Sequence, residues 1–157
     1  MGLFKQDCEF DSVGVLAHII SYCVSNGIKD LGFTKGQKLL YCCYGVVLAS
    51  TGKRLTKDHP KAWQYGPAFP RAYRAHRNGA IDFDKDPIAS DGCPADIRKA
   101  VDATLGYFGH RTASQLVSWS HEQGSPWSVC SNGGTNLYGD IDDSIIRSYF
   151  KTQVLAK

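Results

Sequence analysis

The chain has 157 residues, 43% of them hydrophobic and 21% charged, with a formal net charge of +3. That length suits one domain with its own core, and the composition excludes disordered, collagenous and coiled-coil chains. No apolar run approaches the ~20 residues needed to cross a bilayer. The opening Met1-Gly-Leu-Phe-Lys-Gln-Asp-Cys8 lacks a basic region followed by a long apolar stretch, so a cytoplasmic protein without a signal peptide is expected.

Phe10 to Asn26 places Val13, Leu16, Ala17, Ile20, Cys23 and Val24 at the spacing of one helical face. Asp11 fits its N-cap and Asn26-Gly27 its stop. Thr34-Lys-Gly-Gln37 has the form of a capping box. The helix it opens turns Leu39, Leu40, Cys43, Tyr44, Val47 and Leu48 inward and ends near Thr51-Gly52. It is apolar around most of its circumference, so it is expected at the centre. Gly45 offers a neighbouring helix close approach.

Pro60, Gly66, Pro67 and Pro70 break both ladders between Lys53 and Pro70, so no regular structure is predicted there. Pro70 then suits the first turn of a helix running to about Arg77. Ile81-Asp-Phe-Asp84 alternates apolar and polar residues, which marks it as the candidate strand or hairpin arm. Pro94 starts the next helix, with Ile97, Ala100, Val101, Leu105 and Phe108 on its buried face. Thr112-Ala-Ser-Gln115 is a second capping box, ahead of Leu116, Trp119 and Ser120. Ser125-Pro126 restarts the chain as a short helix, and Ser131 to Asn136 reads as a loop. Asp140 is read as the cap of a last helix carrying Ile141, Ile145, Ile146 and Tyr149 inward, followed by a tail from Thr152 that frays. The predicted fold is all-α or mainly α. It is one compact domain over residues 1–157, with six or seven helices, at most one short β-hairpin, and the helix over 10–26 packed on the rest.

Charge is unevenly placed. Lys53, Arg54, Lys57, Lys61, Arg71, Arg74 and Arg77 fall in one segment with Asp58 as its single acid, while Asp82 to Asp96 is acidic. An electrostatically two-sided molecule is expected. The six cysteines (Cys8, Cys23, Cys42, Cys43, Cys93 and Cys130) contain no C-x-x-C pair and no zinc spacing, so they read as reduced thiols, mostly buried.

Catalytic signatures are sparse. The chain has no G-x-S-x-G elbow and no phosphate-binding glycine loop. Ser120 and His121 are neighbours, but adjacent helical residues point about 100° apart and are not expected to face each other. His18 and His121 lack the spacing of metal ligands and read as structural histidines. No metal, cofactor or catalytic residue is assigned. Ala62 to Tyr73 stands out: Trp63, Tyr65, Phe69 and Tyr73 are interleaved with Pro67 and Pro70. Aromatics bury area with few rotors to freeze, and prolines fix the backbone in advance. The segment reads either as a rigid corner between helices or as a preformed recognition surface.

Gln37-Lys-Leu-Leu-Tyr41, Leu48-Ala-Ser-Thr-Gly-Lys-Arg-Leu55 and Ala62-Trp-x-Tyr-Gly-Pro-x-x-Pro-x-x-Tyr73 together resemble the Panacea domain family, also described as SocA-like or phage-associated. Leu116-Val-x-Trp-Ser-His121 with Gly124-Ser-Pro-Trp127, and the closing Asp-Ile-x-x-Ser-Ile-Ile-x-x-Tyr-Phe150, resemble its later motifs. The likeness spans about residues 34–150. It implies a helical domain that binds a toxin encoded beside it and neutralises it, in one described member by delivering that toxin to a protease. Carried over position by position, the family-motif residues are Trp63, Tyr65, Gly66, Pro67, Pro70, Tyr73, His121 and Trp127, as contacts or as framework. Arg71, Arg74 and Arg77 are the candidates for steering an acidic partner.

The leading expectation is therefore a non-enzymatic, antitoxin-like protein with a protein partner, a toxin or a defence effector. The alternative is a phage-encoded inhibitor of a host immune effector. A nucleic-acid binder using Lys53 to Arg77 and an enzyme built around Tyr65, His121 and Glu122 rank behind both.

Overall fold

The computed structural model describes residues 9–156. Helix α1 (Ser12–Ser25) begins where Asp11 accepts the Val13 N–H at 3.1 Å, a cap worth about 1 kcal/mol. Val15, Leu16, Ile19 and Cys23 are buried, but Val24 is 74% exposed and not on the inward face. Its side chain falls past the helix's last contact with the core.

Helix α2 (Phe33–Thr51) runs through the centre, and Lys35 to Ala49 are all buried. A helix that is apolar nearly all round needs neighbours on every side. α2 has them in α1, α3 (Pro70–Arg77), α4 (Ala95–Phe108), α5 (Ala113–Ser120) and α7 (Asp143–Tyr149). The expected capping box at Thr34 does not form. Gly32 occupies the cap position without a side-chain bond, Thr34 lies inside the first turn, and Gln37 is used elsewhere.

Regular structure appears where the prolines argued against it. Strands β1 (Lys61–Trp63) and β2 (Gly66–Ala68) form an antiparallel hairpin with Ala62 opposite Pro67. Ala62 donates its N–H to Gly139 (2.9 Å) and accepts from Tyr138 (2.7 Å), so its bonds point away from β2. The missing N–H of Pro67 therefore costs the ladder nothing. The expected strand at Ile81–Asp84 is instead part of a 3₁₀ turn (Phe83–Lys85). The Asp82 carboxylate accepts the Asp84 N–H at 3.0 Å and holds the backbone in that turn.

The second capping box does form, with both Thr112–Gln115 bonds present, at 2.9 and 3.1 Å. Ser125 caps the short α6 (Pro126–Cys130), with Pro126 in its first turn. The last helix is capped by Asp142 rather than Asp140, because Asp142 accepts from Ser144 and Ile145 while Asp140 pairs with Lys61. The tail does not fray at Thr152. A π-helical stretch, Phe150–Leu155, continues α7 and lies along α2, with Phe150 buried and Val154 packed on the core. The fold is mainly α, with seven α-helices and one short hairpin among the described residues. Cys23, Cys42, Cys43 and Cys93 are buried free thiols and Cys130 is a half-buried one; Cys8 lies outside the described residues. No described helix is long and apolar enough to cross a membrane.

Candidate functional site

The hairpin is built by side chains that reach its backbone. Gln64 and Tyr65 link the strands, and Gly66 adopts φ +107°. A Cβ there would lie 2.6 Å from Ser120 Oγ and 2.7 Å from Lys38 Cε, so only glycine fits both the dihedral and the space. Trp127 Nε1–H donates to the Trp63 carbonyl (2.7 Å), and Lys38 Nζ donates to that of Pro67 (3.0 Å). Gln37 Oε1 accepts the buried Phe69 N–H at 2.7 Å, just ahead of Pro70 in the first turn of α3.

His121 places Nε2 2.9 Å from the Gln64 carbonyl oxygen and Nδ1 2.7 Å from that of Val117. Its ring packs against Trp127, 3.9 Å between centroids and tilted by 44°. Contrary to expectation, Ser120 and His121 do meet, with Ser120 Oγ 3.3 Å from Nδ1. His121 is the C-cap of α5, where the chain leaves the helical path. Ser120 Oγ also donates to Val117 (2.9 Å). The structure does not gather Tyr65, His121 and Glu122 into one cleft: Tyr65 lines the hairpin cavity, and Glu122 lines grooves beside Tyr149 and Gln153.

The motif aromatics converge on a cavity of about 270 Å³ beside the hairpin. Trp63, Tyr65 and Tyr73 line it with Tyr138, a residue the sequence did not single out. Trp63 and Tyr73 meet edge to face at 5.3 Å. Tyr65 and Tyr138 stand 64% and 65% exposed. Tyr138 is held at φ +75°, a left-handed conformation uncommon for a bulky side chain.

Gln37 and Lys38 line the same cavity and are both buried. Gln37 Nε2 finds no acceptor among the described residues. Lys38 makes its hydrogen bond to Pro67 and has no carboxylate partner among the described residues; burial pulls its pKa down to about 8. The sequence marks Gln37 only as a capping-box partner and Lys38 only within the first family motif, because polar side chains in a helix ordinarily face solvent; the packing around α2 is what encloses them. A larger groove of about 840 Å³ lies along α2, α4 and the π-helical stretch. Of its polar groups, Ser50, Thr51 and Thr104 bond backbone carbonyls of their own helices and Asp96 faces Lys53, while Lys99 and the exposed Tyr107 stand at its rim.

The basic segment does not form one unpaired face. Lys53, Arg54, Lys61 and Arg71 pair with Asp96, Glu9, Asp140 and Asp11, all from other segments. Arg71 grips Asp11 with two bonds of 3.0 Å and holds that carboxyl below its usual range. Arg77 lies over Phe33 and Tyr73, at 5.0 and 5.9 Å from their centroids. Arg74 is exposed.

A family model described as "Antitoxin SocA-like, Panacea domain" matches residues 37–128, which contain β1, β2, α3 and every motif residue from Trp63 to Trp127. The chain is 36% identical over 132 residues to "Antitoxin SocA" of Caulobacter vibrioides (strain NA1000 / CB15N), a match covering 74% of this chain and 70% of that protein. No solved structure matches. With the family match spanning the hairpin and the side chains that hold it, the chain belongs to the Antitoxin SocA-like, Panacea domain family.

Proposed function

We propose that this chain is a non-catalytic, antitoxin-like protein that neutralises a toxin or similar effector by binding it directly. One observation carries the reading. The polar motif side chains are spent on the hairpin's own backbone, while Tyr65 and Tyr138 are left exposed beside it. Both ring nitrogens of His121 face backbone carbonyl oxygens, which suits a framework residue better than a proton carrier. Exposed aromatics on a preorganised backbone are what a protein interface uses as anchors. Arg77 lies over Tyr73, which lines the same cavity, and with the exposed Arg74 on the same helix it would steer an acidic partner.

Co-expression with the protein encoded beside it tests the reading. The expected result is relief of growth inhibition together with a stable complex on gel filtration. Relief without a complex would contradict direct binding. Relief that disappears in a protease-deficient host would assign the chain the adaptor role in place of simple masking.

A further inference from the structure

The cavity beside the hairpin holds hydrogen-bond donors without their complement. Among the described residues, no carboxylate faces the buried Lys38 ammonium and no acceptor meets the buried Gln37 amide nitrogen. Such groups are costly to bury unless something pairs with them. A cation would be repelled here, and a neutral acceptor would leave the charge uncompensated. The four aromatic walls suit the apolar stem of a side chain, and about 270 Å³ is small beside pockets that take drug-sized ligands.

We propose that this cavity receives a carboxylate from an acidic side chain of the protein partner. The side chain enters past Tyr65 and Tyr138, and its two oxygens accept from Lys38 Nζ and Gln37 Nε2. The inference rests on the binding function proposed above and adds the anchor: a hydrogen-bonded, charge-assisted contact in an aromatic-walled slot.

Two capped tetrapeptides test it, acetyl-Phe-Glu-Phe-Gly-amide and its Gln counterpart, with phenylacetate as a free small acid. Proton–nitrogen NMR reads the Gln37 side-chain amide and the Trp63 indole. The Glu peptide should shift the Gln37 amide signals and bind about tenfold tighter than the Gln peptide. Lys38→Met should abolish that difference. Equal affinities, or an unmoved Gln37 amide, overturn the inference. Phenylacetate binding more tightly than the Glu peptide overturns the partner as the source and assigns the site to free acids. Should Lys38→Met fail to fold, the peptide comparison on the unmodified protein decides alone. A neighbour-encoded partner that binds Lys38→Met with unchanged affinity removes this inference and leaves the binding function standing.

Discussion

The ring of Phe150 lies directly on Gly45. A Cβ at that position would stand 2.3–2.5 Å from three of its ring carbons. The contact seats the π-helical stretch on α2 and places Phe150 edge-on to Tyr41 at 5.4 Å. Alanine in place of glycine normally strengthens a helix by about 1 kcal/mol. Here Gly45→Ala should destabilise by about 1–3 kcal/mol, because the ring must move. Urea unfolding measures it, and Phe150→Leu in the same background should recover part of the loss. A Gly45→Ala protein more stable than the parent would contradict the packing.

Gly66→Ala should cost about 2 kcal/mol or more, from a strained positive φ and from collision with Ser120 and Lys38. Thermal unfolding reads the loss. The substitution should also broaden the Trp127 indole signal, since that N–H bonds the neighbouring Trp63 carbonyl.

Lys38 supplies a pH prediction with a definite sign. Its folded pKa of about 8 lies below its ordinary 10.5. Between those values the unfolded chain binds more protons than the folded one, so this group's contribution to stability rises with pH. The stability of the parent relative to Lys38→Met should increase by about 2–3 kcal/mol from below pH 8 to above pH 10. Burial pushes Cys43 and Tyr41 upward, which erodes stability in alkali, but both proteins share that loss and it cancels in the difference. Burial pushes Cys42 up as well, while the Lys38 charge pulls it back, so the comparison is made with Cys42→Ala in both proteins. A flat difference would show that Lys38 is not enclosed.

Arg74→Glu with Arg77→Glu should slow association with the partner, more at low salt than at high. Stopped-flow mixing at two ionic strengths measures it. Arg71→Glu should act differently, because it breaks the pair with Asp11 and its cost falls partly on the folded chain. An on-rate unchanged by the double substitution would remove the steering role.

Helical periodicity is enough to read α1, α2 and α4, with Val24 at the end of α1 the inward residue it misplaces. It failed where distant segments decide local structure. Pro67 tolerates a strand only because Ala62 turns its bonds toward Tyr138 and Gly139. Thr34 and Gln37 match a capping box, yet the buried Phe69 N–H claims the Gln37 oxygen. The basic run read as one charged face because its partners, Glu9, Asp11, Asp96 and Asp140, come from other parts of the chain. Trp63, Tyr65 and Gly66 could be singled out by composition. Lys38 could not, since its burial exists only once α2 is surrounded.

The affinity of the complex with the neighbour-encoded protein, compared for the parent and Tyr65→Ala/Tyr138→Ala, tests the binding surface most directly. Both residues are exposed, so the fold should survive and the unfolding temperature should change little. The expected result is a loss of at least about tenfold in affinity, with relief of growth inhibition diminished. An unchanged Kd with full relief would place the interface elsewhere on the molecule.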